Sequence, residues 1–321
     1  MTSADCVVAG CRELLTCAGP LPKRGRALRQ VGLVENGWVA SSKGDIVFVG
    51  TEDEFLAQVS PDPGAVTVDG RGMVALPGFI DAHTHLPFAG DRAREFGLRV
   101  QGWTYQQLAE RGLGIQTTVK ATRAASLDAL LALCLRRLDR MLLTGTTTVE
   151  AKSGYGLNLE DEVKQLEVLR DLGALHPVDI VPTFMGAHDV PPEYRDRREE
   201  YVRLLIDAGA VVALATDFNP GSSNLSAMPF VLQLGVFTLG MTVEEAINAC
   251  TGNAAFAVGR HGTVGSLEPG KKMDLILCDV PGYMSLAYEA GRNPVHTVIK
   301  NGRVVVQDGR RVAAVERINS R

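Results

Sequence analysis

The chain has 321 residues, 45% of them hydrophobic and 22% charged, with a formal net charge of −4. That is too long for a disulfide- or metal-stapled module and fits one large barrel or two medium domains around a sizeable core. The mild acidity, with no run of five like charges, argues against a nucleic-acid or anionic-membrane surface. The six cysteines form no Cys-x-x-Cys pair, no apolar run approaches eighteen residues, and the first thirty residues hold no signal-peptide core. A reducing, cytoplasmic setting is therefore expected.

The first seventy residues read as β, with strands predicted over Val31–Ala40 and Asp45–Gly50 around a turn at Ser42-Lys43-Gly44. The pattern then alternates between strand and helix. Strands are predicted at Val74–Ala82, Thr146–Ala151, Asp179–Met185 and Ala210–Thr216. Between them, Leu127–Leu143 carries a 3.6-period apolar stripe with Ser126 as its N-cap, and Asp161–Leu172 and Glu193–Asp207 are further helices. Thr242-Val243-Glu244-Glu245 is a capping box that opens another. Asp274–Cys278 is an apolar run, and Val295–Val306 reads as two strands around Lys300-Asn301-Gly302, where Asn-Gly tolerates the positive φ of a hairpin turn. This order predicts an α/β chain: a parallel sheet in a βα unit over 73–261, and a small β-domain built from 1–72 and 262–321.

Five short stretches can carry chemistry. In Leu76-Pro77-Gly78-Phe79-Ile80-Asp81-Ala82-His83-Thr84-His85, a period of two points His83 and His85 the same way at the C-terminal end of a buried strand, which makes half a metal site. Ala89-Gly90-Asp91-Arg92 follows, and Arg92 can clamp a carboxylate. Glu150-Ala151-Lys152-Ser153-Gly154-Tyr155-Gly156 is a charged, glycine-rich turn after a strand, suited to a substrate pocket, and Gly186-Ala187-His188 follows the next strand. In Leu214-Ala215-Thr216-Asp217-Phe218-Asn219-Pro220-Gly221-Ser222-Ser223 a strand ends on a carboxylate. Asp217 can ligate a metal and take a proton from an attacking water, and the loop after it can offer N–H groups and hydroxyls to an anion. A plain Asx turn is the alternative there. His176, His261 and His296 lack such context.

Together these stretches, with Thr104–Gln116 and Gly265-Ser266-Leu267-Glu268-Pro269-Gly270, resemble the amidohydrolase superfamily and, within it, the imidazolonepropionase family of histidine degradation. Ser-Gly-Tyr-Gly-Leu with Thr-Asp-Phe-Asn-Pro-Gly is far more specific than His-x-His alone. The resemblance implies a cytoplasmic enzyme that hydrolyses the ring amide of 4-imidazolone-5-propanoate to N-formimidoyl-L-glutamate. It implies one zinc or iron ion that polarises the ring carbonyl and acidifies a water. By the same resemblance His83, His85 and Asp217 hold the metal, Asp217 is catalytic, and Arg92, Tyr155, His188, Asn219, Gly221 and Ser222 contact a small-molecule substrate.

The family's His-Ala-Asp-Glu, which carries a further metal-binding histidine, is absent, and one helix alone separates His188 from Asp217. Four strand candidates stand where a (β/α)₈ barrel has eight, a shortfall on the order of a hundred residues. The expectation is an incomplete (β/α) amidohydrolase barrel of about four strands, with activity impaired by the deletion. Stretches resembling Tyr201–Asp207 and Leu205–Gly209, separate in the family, are fused here at one Leu-Ile-Asp. In the strand order 1-2-3-last, Asp217 would lie about 14 Å from the histidine strand at ~4.8 Å per step, too far for one ion. Either the last strand returns to the first, or two half-barrels pair as a homodimer and share their residues. Another cyclic-amide amidohydrolase and a non-catalytic binding remnant are the alternative functions.

Overall fold

Two sheets divide the strands of this computed structural model, which describes residues 1–111, 113–156, 159–183, 203, 206–207 and 211–312. In chain order the strands are β1 (Thr2–Leu15), β2 (Leu33–Ser42), β3 (Asp45–Gly50), β4 (Val59–Asp69), β5 (Val74–Pro77), β6 (Phe79–Thr84), β7 (Thr146–Lys152), β8 (Asp179–Thr183), β9 (Leu275–Cys278), β10 (Val295–Lys300), β11 (Arg303–Gln307) and β12 (Arg310–Arg311). Nine of them form one sheet in the order β12-β11-β10-β9-β5-β1-β2-β3, with β4 beside β1. Strands from both ends of the chain meet where β5 runs antiparallel to β9, Leu76 opposite Ile276. The second sheet is parallel, in the order β6-β7-β8.

The predicted strand Val74–Ala82 is two strands. Pro77 still pairs with Leu275 in the large sheet, and the next two amides part company: Gly78 donates to Asp274 O and Phe79 to Gly145 O. The chain changes sheets at Gly78, where a Cβ would lie 2.4 Å from the Thr147 side chain, so glycine is required by a close approach. The pattern that predicts a strand records alternation and is blind to which sheet the strand joins.

The predicted strand Ala210–Thr216 also differs, since the described residues 211–217 form no ladder. That segment is pinned to the edge of β6 that β7 leaves free. A single parallel bridge joins Thr84 to Phe218, and the His85 N–H donates to Phe218 O at 2.8 Å. The last segment therefore neighbours the first strand of the small sheet and does not follow β8, which overturns the 14 Å separation expected from counting strands.

The helix Leu127–Leu143 forms as its stripe predicts. Ser126 Oγ accepts the Ala129 N–H, and Leu130, Cys134, Leu138, Met141 and Leu142 bury against Val149 and Ala151 of β7 and Leu169 and Leu172 of the helix Leu159–Leu175. The capping box at Thr242 and Glu245 is formed and opens the helix Val243–Cys250. Ile80 and Ala82 of β6 pack on Ala254 and Ala255 of the helix Gly252–Ala257. Most of the predicted helix Glu193–Asp207, together with Met185 and His188, lies outside the described residues. Among the described residues no helix is long and apolar enough to cross a membrane.

Candidate metal centre

The alternation of β6 sends His83 and His85 toward one point. Their rings stand edge to face with centroids 5.4 Å apart. Asp217 comes to them from the segment on the free edge. Both histidine Nε2 atoms lie 3.5 Å from the same oxygen, Oδ1 of Asp217, and the donor atoms of the three residues all fall within 4.8 Å of one another. Asp217 has φ +50°, a left-handed conformation that is uncommon for non-glycine residues and that aspartate takes more readily than most.

Burial, followed by the nearby Lys152 ammonium, holds His83 below its ordinary pKa, so the imidazole is in its neutral, ligating form. Burial pushes the Asp217 carboxyl up, but the His85 hydrogen bond and the electrostatic attraction of the two imidazoles outweigh it, and the net shift is downward. Two imidazoles and one carboxylate are a donor set for zinc or iron. The edge of a tetrahedron with 2.0–2.1 Å arms is about 3.3 Å, close to both nitrogen–oxygen separations, so the three residues fit one ion. All three belong to one chain, and a partner is not needed to supply the aspartate.

The fit extends beyond this chain. The amidohydrolase family profile matches residues 156–305. An imidazolonepropionase of Symbiobacterium thermophilum is 37% identical, over 97% of this chain and 99% of its own, and one of Geobacillus kaustophilus is 38% identical, over 93% and 97%. The chain belongs to the imidazolonepropionase family. Membership makes it a metal-dependent hydrolase of the amidohydrolase type. It is a short member: the first alignment runs over 422 positions and this chain has 321 residues, so the relative carries a stretch with no counterpart here. Among solved structures, an adenosine deaminase from Xanthomonas campestris with bound zinc superposes with a TM-score of 0.67 at 15% identity, over 97% of this chain and 95% of that one. A triazine hydrolase variant does so at 0.60 and 16%, over 96% of each. These likenesses are of fold.

His85, Arg92, Tyr155, Asp217, Asn219, Gly221 and Ser222 line one cleft of about 690 Å³. In this imidazolonepropionase-family cleft the Arg92 Nε donates to Glu95 at 2.6 Å, and the other Glu95 oxygen accepts from Thr117 Oγ1 at 3.0 Å. The buried pair fixes the guanidinium and leaves its two terminal nitrogens for a ligand. Tyr155 is buried, its ring centroid 5.8 Å from that of His85, and burial pushes its phenol up to about 12. His188 lies outside the described residues.

Asn219 behaves differently from its motif reading. Its Oδ1 accepts the N–H groups of Gly221 and Ser222, both at 2.8 Å, and its Nδ2 donates to Asp217 O. The two amides expected to face an anion are spent within the loop, which is an Asx-type turn. Asn219 shapes the rim beside Asp217.

Several contributors escape a motif reading. Glu95 orients Arg92. Arg137, on the buried side of the helix Leu127–Leu143, donates to Leu86 O and Phe88 O and stacks over the Phe88 ring at 3.5 Å, which sets the loop after His85. Glu150 accepts the Thr84 N–H and is paired with Lys152 beneath the histidines. Asp81, fully buried in the middle of β6 and pushed up to about 7 by that burial, holds Thr216. A charged residue inside an apolar strand or stripe is the signal that flags Asp81 and Arg137 in the sequence.

Proposed function

We propose that this chain hydrolyses the ring amide of 4-imidazolone-5-propanoate to N-formimidoyl-L-glutamate in histidine degradation. The observation that carries the reading is the convergence of His83, His85 and Asp217, the last two lining the same cleft as an oriented arginine. A zinc or iron ion held by those three residues supplies Lewis acidity, which polarises a carbonyl and lowers the pKa of water.

The chain's own groups do the rest. Arg92, held through Nε by Glu95, presents its terminal nitrogens to the propanoate carboxylate. Tyr155 stays protonated at neutral pH and donates a hydrogen bond to the ring. The Asp217 carboxylate accepts a proton from the attacking water and returns it to the ring nitrogen as the C–N bond breaks. Gly221 and Ser222 form the wall beside the carboxylate, and the family resemblance of the Gly-Ala-His motif assigns His188 to substrate contact as well.

We further infer an internally shortened barrel of about four strands over 73–261, flanked by a β-unit of 1–72 and 262–321. The three parallel strands, the last segment returned to β6 and the longer alignment with the relatives support this. Without the His-Ala-Asp-Glu histidine, His83, His85 and Asp217 would hold the ion by themselves, and turnover is expected to fall below that of full-length relatives. Six buried, unbridged cysteines support a reducing, cytoplasmic setting.

The test is elemental analysis of the purified chain beside an assay of imidazolone propanoate disappearance. One zinc or iron per chain, lost in Asp217→Ala along with turnover, is expected. A folded chain with no bound metal and no turnover refutes the reading.

A further inference from the structure

Asp217 sits in a segment that no ladder holds. On its C-terminal side, Phe218 makes the single bridge to Thr84. On its N-terminal side Leu214 donates to Ala249 O and Asn253 Nδ2 donates to Val212 O, each at 3.0 Å, and the attachment nearest to Asp217 is the side chain of Asp81. Asp81 Oδ1 accepts the Thr216 N–H at 3.0 Å, and its Oδ2 accepts the Thr216 hydroxyl. The backbone N–H of His83 faces the same carboxylate. The Thr216 hydroxyl in turn accepts the Phe218 N–H at 3.1 Å, closing a small loop around Asp217, and Ser223 Oγ donates to Thr216 O at 2.8 Å.

Asp81 is fully buried and Thr216 nearly so. Burying a carboxylate is costly unless its oxygens are satisfied, and here the satisfying donors come from the two segments that bring the candidate ligands. With no sheet ladder across residue 217, the hydrogen bonds on either side of it set the direction in which its left-handed backbone sends the carboxylate. The Asp81–Thr216 contact is where the conformation of residue 217 is tied to the strand of His83 and His85.

We propose that Asp81 is a positioning residue which, through Thr216, fixes the Asp217 carboxylate between the Nε2 atoms of His83 and His85. The proposal rests on the metal-site reading above. It assigns a task to a buried acid that touches neither ion nor substrate. Partners behind metal ligands typically change metal affinity by 10–100-fold.

The experiment titrates the metal-free full chain with Co²⁺ and reads affinity and the visible cobalt spectrum, with melting temperature measured in parallel. Thr216→Val, which keeps the shape and removes the hydroxyl, is expected to weaken cobalt binding at least about tenfold and alter the spectrum. Thr216→Ser keeps the hydroxyl and retains wild-type affinity. Asp81→Asn, which removes the second acceptor, resembles the valine variant. A purely structural role would lower the melting temperature of these variants and leave cobalt affinity of the folded protein unmoved, which overturns the proposal. Asp217→Asn separates the two readings: if wild type binds no cobalt, or binds it no better than Asp217→Asn, the metal site itself is refuted. If Asp217→Asn loses binding while Asp81→Asn and Thr216→Val do not, the positioning role alone fails.

Discussion

Gly221 packs against Arg92 so tightly that a Cβ placed on it would lie 2.2 Å from Nη1. The guanidinium has little room to retreat, since its Nε is held by Glu95 and its side chain is 11% exposed. Gly221→Ala should displace the guanidinium and leave the backbone in place. The affinity for imidazolepropanoate, read by calorimetric titration, should fall about tenfold, equivalent to ~1.4 kcal/mol, with the melting temperature near wild type. An unchanged affinity would show that Arg92 does not hold the carboxylate.

Local patterns made the histidine pair legible, because a period of two fixes which strand residues share a face, and the Ser126-capped helix legible, because one face carries its apolar residues. What stayed hidden depends on partners distant in sequence. Nothing local to Val74–Ala82 shows that Gly78 must pass beside Thr147. Counting strands placed Asp217 beyond β8, whereas the bridge to Thr84 and the carboxylate of Asp81 set it on the opposite edge of β6. The loop after Asp217 carries residues suited to an anion site, and the geometry of Asn219 shows that two of its amides are already used. Motif chemistry names donors, and only coordinates show which of them are spent.

Lys300 joins the two sheets through charge. Its buried ammonium donates to Asp274 at 2.6 Å and to Asp179, the first residue of β8, at 2.9 Å, and Arg260 reaches the same Asp179 oxygen at 3.0 Å. Lys300→Met leaves Asp274 buried without its counter-charge, and removal of one partner from a buried pair costs about 3–5 kcal/mol. Urea unfolding should show that loss. Asp274→Leu added to Lys300→Met should recover much of it, since Asp179 keeps Arg260. A single-variant cost below about 1 kcal/mol, the range of an exposed pair, would refute the buried-pair account.

Gly78 gives a packing prediction at the crossing between the sheets. Any side chain there meets Thr147 Cγ2 and Oγ1 at 2.4 Å, and both strands are fixed on either side by hydrogen bonds to different sheets. Gly78→Ala should cost about 1–3 kcal/mol in the same unfolding assay, the range of an overpacked core. Thr147→Ala in the same chain should reduce that cost. If Gly78→Ala is neutral, the close approach does not constrain the fold.

His176 makes stability depend on pH. Its ring is buried, Nδ1 accepts the Val178 N–H at 3.2 Å, and Nε2 lies 3.2 Å from Asp139 Oδ1, so the neutral Nε2–H tautomer serves both contacts. Burial lowers its pKa; Asp139 opposes this and Arg311, itself on Asp139, adds to it, leaving the net shift downward. Above the unfolded value near 6.5 the ring is neutral in both states and stability is at its full level. As pH falls below 6.5 the unfolded chain takes up a proton that the folded chain resists, and stability is lost toward the folded value. The melting temperature of wild type should therefore fall more steeply between pH 7.5 and 5.5 than that of His176→Gln, which cannot titrate. Parallel profiles would mean that the ring protonates equally well in the folded chain, against its buried acceptor role toward Val178.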